Sequence, residues 1–199
     1  MLNDSFGRTL TYARLAVTDK CNLRCTYCMP EQQTFLPHRD LLTYDEIMEL
    51  VERFIAHGIR KIRLTGGEPL VRRDIEVLIE ALGQHVKVGN LDELTMTTNG
   101  SRLQQFAPLL ASAGMKRINV SLDTLDPDAF RQISRGGDLA IVLAGIHAAR
   151  AHDLDVKINM VALKELNDQE IQPMLEWCGS QGFDLSLIET MPLGMIDDD

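Results

Sequence analysis

The apolar residues of this chain switch repeatedly between a spacing of two and a spacing of 3.6, and that alternation constrains the fold more than any other property. Six short runs read as strands: Tyr12 to Thr18, Lys61 to Thr65, Leu94 to Thr98, Arg117 to Ser121, Val156 to Val161 and Asp184 to Glu189. Helical patterns lie between them. Strands that alternate with helices imply a parallel sheet, so the expected class is α/β. Six units of this kind predict a partial (β/α)6 barrel of TIM-like form with an outer layer of helices, and the alternative is an open doubly wound sheet.

The two faces of the strands favour the barrel. Alternate residues point to opposite sides. One side carries Ala13, Leu15 and Val17, then Ile62 and Leu64, Ile118, Val120 and Leu122, and Ile158 and Met160, all suited to packing under helices. The other carries Arg14 and Thr18, then Lys61, Arg63 and Thr65, Thr95, Thr97 and Asn99, Asn119, Ser121 and Asp123, and Lys157 and Asn159. An open sheet covered on both faces is apolar on both. A polar second face therefore predicts a lumen holding water and a charged ligand, because such groups are costly to bury without partners.

Capping signals punctuate the helices. Thr43-Tyr44-Asp45-Glu46 reads as a capping box, with Thr43 as the cap, opening a helix that stops near His57-Gly58. Asp74 is expected to cap a second helix, Asp126-Pro127 a third, and Asn167 with Glu170 a late one running to Gln181.

With 45% hydrophobic and 25% charged residues, the 199-residue chain is expected to form one soluble globular domain spanning residues 1–199. It opens without a recognisable export signal and has no apolar stretch long enough to span a bilayer, so the expected compartment is the cytoplasm, with no membrane partner. A net charge of −9 argues against nucleic acid as a partner. It leaves room for a local basic pocket, for which Arg14, Lys61, Arg63, Arg72, Arg73 and Lys157 are the candidates.

The most specific chemistry lies after the first strand. Cys21-Asn22-Leu23-Arg24-Cys25-Thr26-Tyr27-Cys28 places three thiols at CxxxCxxC spacing. A closed structural site wants four protein ligands, so three in one loop suggest a [4Fe–4S] cluster with one iron left open to a further ligand. The alternatives are a loop of reduced thiols and a zinc site completed by a histidine such as His38. Cys178 falls in a helix and reads as core.

Further motifs follow successive strands, where β/α barrels keep their active sites. In Thr65-Gly66-Gly67-Glu68-Pro69 the glycines allow close backbone approach to a ligand, and Glu68 can accept from an ammonium or hydroxyl. Thr97-Thr98-Asn99-Gly100, Ser121-Leu122-Asp123 and Glu189-Thr190-Met191-Pro192 complete a polar rim, with Met191 offering soft contact to a purine.

The cysteine loop with an aromatic before its last cysteine, followed by GGEP, resembles the radical S-adenosylmethionine (SAM) enzymes along the whole chain. Within them, Arg14 to Asp19, Cys28-Met29-Pro30, Arg63 to Pro69 with Arg72-Arg73-Asp74, Thr97 to Gly100 and Asn119 to Asp123 are similar to the GTP 3′,8-cyclases, lyases of molybdenum cofactor biosynthesis. The resemblance implies one [4Fe–4S] cluster on Cys21, Cys25 and Cys28, with SAM on its open iron. It implies SAM contacts at Tyr27, Gly67, Ser121 and Met191, beside the Gly66 and Glu68 already singled out. GTP contacts would be Arg14, Arg63, Thr97 and Lys157. An external one-electron reductant would drive cleavage of SAM to a 5′-deoxyadenosyl radical, which removes the ribose C3′ hydrogen so that the carbon closes onto C8 of guanine. No side chain is assigned a catalytic role of its own.

The cyclases are expected to continue past this point into a region with a second three-cysteine cluster, whereas this chain stops at Ile196-Asp197-Asp198-Asp199 and reads as a truncated radical SAM core. The expectation is slow, uncoupled SAM cleavage with little cyclised product, and an open barrel side that favours a homodimer. A radical SAM reaction on another substrate and an inert iron–sulfur fragment are the alternatives.

Overall fold

The computed structural model describes residues 1–190. Strands β1 (Tyr12–Ala16), β2 (Lys61–Thr65), β3 (Glu93–Thr98), β4 (Arg117–Ser121), β5 (Asp155–Ala162) and β6 (Asp184–Glu189) form one sheet, all parallel, in the order of the sequence. Helices α1 (Tyr44–Ala56), α2 (Ile75–Lys87), α3 (Leu103–Ser112), α4 (Pro127–Ser134), α5 (Leu139–Ala151) and α6 (Ile171–Gln181) fill the connections. The fourth connection holds two helices where one was expected.

That strand order decides between the two expected architectures. Parallel crossovers are right-handed, so strands that always advance in one direction put every crossover on the same face. A doubly wound sheet needs a reversal of order to cover both faces, and there is none. The covered face is the apolar one: Ile62, Leu64, Leu94, Met96, Ile118, Val120, Ile158 and Met160 are at most 1% exposed, packed beneath Leu78, Ile79, Leu82, Leu110, Val142 and Ile146. Each such side chain contributes about 1.5–3 kcal/mol by leaving water. The uncovered face closes round a polar lumen, and β1 and β6 each pair on one side only.

Two of the four expected caps form. Thr43 and Glu46 make both halves of the capping box, and Asp126 Oδ1 accepts from the amides of Asp128 and Ala129, with Pro127 first in α4. Asp74 does not cap. Its backbone is left-handed (φ 56°), which turns the carboxylate away from the first-turn amides and towards Arg73 Nε at 3.3 Å. Asn167 and Glu170 are also diverted, because stronger partners lie nearby. Asn167 donates to the carbonyls of Asp123 and Val161, and Glu170 accepts from Thr124 and from the Leu125 amide.

Candidate functional site

The cysteine loop leaves the C-terminal end of β1 and is held on three sides. Its root is stitched to the glycine turn after β2: the Gly67 amide donates to Thr18 O at 2.7 Å and the Glu68 amide to Lys20 O at 2.8 Å. Its middle docks on the end of α4, where the Arg24 and Thr26 amides donate to the carbonyls of Ser134 and Ile133. Its far end is held by Arg135, which donates to Met29 O at 3.0 Å.

The paired glycines are needed for this stitching. A Cβ on Gly66 would lie 2.3 Å from Thr18 O, and one on Gly67 would lie 2.4 Å from Lys20 O. The close approach anticipated for a ligand is therefore made by the chain's own backbone, although both glycines keep an exposed side.

Glu68, expected to accept from an ammonium or a hydroxyl, is turned into the protein. It is wholly buried, and its carboxylate accepts from the Leu70 amide at 3.0 Å, the Thr98 hydroxyl at 2.8 Å and the Asn99 amide at 2.6 Å. The hydroxyl it accepts belongs to Thr98, so Glu68 ties the ends of β2 and β3 together beneath the rim. Burial raises its pKa above the ordinary carboxyl value, and the three donors partly offset this.

Around the cysteines the charges repel. Burial first, then Asp123 and the neighbouring Cys28 and Cys21, push the Cys25 thiol up to about 12, and Cys28 is raised chiefly by burial. Tyr27 reaches across to Asp123, its hydroxyl donating to Oδ2 at 2.7 Å, while Asp123 Oδ1 accepts from the Val161 amide at 2.9 Å. Cys21 Sγ accepts from the Leu23 amide at 3.4 Å and from Asn99 Nδ2 at 3.6 Å. His38 stands on an exposed turn, and among the described residues no three His, Cys, Asp or Glu side chains gather as ligands of a single ion would. Cys178 is buried in the core as expected.

The lumen opens as a cavity of about 410 Å³ lined by Arg14, Arg63, Thr97, Arg117, Asn119 and Lys157, with Asn159 and Ser186 beside them. Arg14, Arg63, Thr97 and Lys157, chosen from the sequence, all line it. Arg117 and Ser186 were missed, although the period of two already placed Arg117 on the same face as Asn119 and Ser121. The lining holds four cations and no carboxylate. Four of its side-chain atoms are buried without a partner among the described residues: Arg63 Nε, Thr97 Oγ1, Arg117 Nε and Asn119 Oδ1. The orphaned donors among them, beside Arg14, Arg63 and Lys157, which pair with no carboxylate among the described residues, call for an anion with several oxygens.

The remaining basic candidates lie elsewhere. Lys61 pairs with Glu93 at 2.5 Å, and Glu93 also approaches Arg117 at 3.8 Å. Arg72 lies over the Tyr44 ring and donates to Val17 O, and Arg73 is exposed. Ser121 sits at the end of β4 opposite Asn159. Met191 falls outside the described residues.

Comparison with known proteins bears on the whole assembly. The sequence model described as the radical SAM superfamily matches residues 15–178. A GTP 3′,8-cyclase of Rhizobium meliloti (strain 1021) is 60% identical over 196 residues, covering 98% of this chain and 56% of that protein. One of Rhodopseudomonas palustris (strain TIE-1) is 58% identical over 195 residues, covering 98% of this chain and 57% of its own length. The chain thus spans little more than half the length of these relatives. Among solved structures, Streptococcus suis SuiB bound to precursor peptide SuiA superposes with a TM-score of 0.77 at 17% identity, over 91% of this chain and 39% of that one. Methylornithine synthase (PylB) does so with 0.66 at 15% identity, over 93% and 55%. At such identities the likeness is one of fold.

Proposed function

This chain belongs to the radical SAM superfamily, and from that premise we propose that residues 1–199 form a radical SAM core acting on GTP as the 3′,8-cyclases do. The observation that carries the substrate is the lumen: Arg14, Arg63, Arg117 and Lys157 surround one cavity in a chain of net charge −9, with Arg63 Nε and Thr97 Oγ1 unpartnered. A nucleoside triphosphate supplies the oxygens these groups lack, with the arginines offering paired donors and Lys157 a point charge.

The cysteines fit a cluster on their chemistry. Three thiols in one loop are the donor set of an iron–sulfur cluster, and bound iron would offset the burial, and after it the repulsion from Asp123 and the neighbouring thiols, that raises Cys25 and Cys28. When bound, such a cluster supplies the electron, taken from an external one-electron reductant, that splits SAM into methionine and a 5′-deoxyadenosyl radical. Cys21, Cys25 and Cys28 would hold it. Tyr27, Gly66, Gly67 and Ser121 lie along the rim where SAM would rest, Tyr27 fixed by Asp123. Arg14, Arg63, Thr97 and Lys157 would hold GTP deeper in the lumen, with its ribose towards the rim, and the barrel wall would shield the carbon radical from water.

Among the described residues no helix is long and apolar enough to cross a membrane. A cytoplasmic setting accords with an oxygen-sensitive cluster. The test is anaerobic reconstitution with iron and sulfide, then dithionite and SAM with and without GTP, following 5′-deoxyadenosine and 3′,8-cyclised GTP. The reading expects SAM cleavage and GTP binding. A chain that carries a full cluster and cleaves no SAM overturns it.

A further inference from the structure

Asn99 sits where β3 ends and the rim begins, 78 positions from Cys21 in sequence but within 3.6 Å of its sulfur. Its orientation is fixed by the donors around it. The Ser101 amide, at 3.0 Å, can only donate, so the atom facing it must be the carbonyl Oδ1, and the Ser101 hydroxyl donates to the same oxygen at 2.6 Å. The amide nitrogen must therefore face the cysteine loop. One of its hydrogens goes to Asn22 Oδ1 at 2.9 Å, and the other is directed at Cys21 Sγ. Asn22 closes the ring by donating to Ser101 Oγ at 2.9 Å.

The backbone of Asn99 is held as firmly, because its amide donates to the buried Glu68 carboxylate at 2.6 Å. Asn99 thus has every hydrogen-bonding capacity of its side chain occupied, and it is anchored to a buried carboxyl that cannot move without breaking its bonds from the Leu70 amide and the Thr98 hydroxyl. Cys21 accepts a second bond, from the Leu23 amide. Among the described residues neither Cys25 nor Cys28 accepts any through sulfur, so the environment of the three thiols is unequal.

Hydrogen bonds to cysteine sulfur are one of the determinants of an iron–sulfur potential. Reduction adds negative charge that spreads onto the sulfurs, and an N–H donor stabilises the more negative state. We propose that Asn99, held by Glu68, Asn22 and Ser101, is a positioning residue whose amide fixes the Cys21 thiolate and raises the reduction potential of the cluster it would carry. This inference rests on the reading that the three cysteines bind that cluster. It also gives Glu68 a function: the buried carboxylate aims the amide at the sulfur.

The experiment is a spectroscopic redox titration of the anaerobically reconstituted chain, with dithionite as the one-electron reductant and neither SAM nor nucleotide present. At the potential where half the wild-type cluster is reduced, Asn99→Ala is expected to show a reduced-to-oxidised ratio about fivefold lower, the factor that one modest hydrogen bond carries when it favours one charge state. Ser101→Ala keeps the amide but removes one of its restraints and one from Asn22, and should give a smaller fall in the same direction. Asn99→Ala with full iron content and an unchanged potential overturns the proposal. If Asn99→Ala retains no cluster, Ser101→Ala decides, and an unchanged potential there overturns it equally. A wild-type chain that takes up no cluster refutes the functional reading itself, so the two failures are distinct.

Discussion

Replacing Gly67 with alanine should weaken the whole cysteine loop although it removes no side chain. The new Cβ would stand 2.4 Å from Lys20 O, 2.6 Å from Asp19 O and 2.6 Å from the Lys20 carbonyl carbon. Ordinary contact begins near 3.5 Å, so the two segments must part by roughly 1 Å. All three atoms are backbone, and no rotamer change relieves them. Parting also stretches the bonds from the Gly67 amide to Thr18 O and from the Glu68 amide to Lys20 O, each contributing about 1 kcal/mol. Overpacking of this kind costs about 1–3 kcal/mol by itself, so the expected loss is about 2–4 kcal/mol. Urea unfolding of the cluster-free chain, followed by circular dichroism, measures it apart from any effect on SAM. Gly179→Ala is the control, because its Cβ meets nothing within 4 Å and it lies inside α6, where alanine should add up to about 1 kcal/mol. A Gly67→Ala chain with a wild-type urea midpoint would refute the stitching argument.

Three further outcomes are expected. Lys157→Ala and Arg63→Ala should each weaken GTP binding by about 10-fold to 100-fold in calorimetry, as removal of a charged hydrogen bond does, and raised salt should weaken the wild type likewise. Asp126→Ala should cost about 1 kcal/mol of stability and Asp74→Ala less than about 0.5 kcal/mol, since only Asp126 caps its helix; equal urea midpoints for the two variants would contradict this. Glu68 holds its proton more tightly folded than unfolded, so its contribution is fully present below the unfolded value of 4.5 and is lost as pH rises through the higher folded value. Relative to Glu68→Gln, which cannot titrate, the wild type should lose stability across that window, and parallel pH curves would show that the burial of this carboxyl has been misjudged.

The period of two in each strand was enough to gather the lumen. Arg14, Arg63, Thr97, Asn119 and Lys157 share a cavity because residues in register on neighbouring parallel strands face the same way, as Arg14 opposite Arg63 and Asn119 opposite Lys157 do. Beyond the strands, parity stops being a guide. Arg72 and Arg73, equally basic and next to the same motif, leave the lumen because the chain turns after Pro69. Asp74, Asn167 and Glu170 have the residue types of caps, but backbone angle and nearer partners claimed them.

The sequence by itself determined the parallel class, the polar strand face and the three thiols, because these follow from local spacing and side-chain chemistry; the set Arg14, Arg63, Thr97 and Lys157 came from the family resemblance. Only the tertiary structure decided that the sheet winds in one direction, that Glu68 faces inward to the protein, that Tyr27 is held by Asp123, and that Asn99 meets Cys21. Each of these depends on which donors and acceptors from distant segments arrive at the same point. A buried polar group takes the partner that satisfies it best, and the partner's place in the sequence carries no mark of that choice.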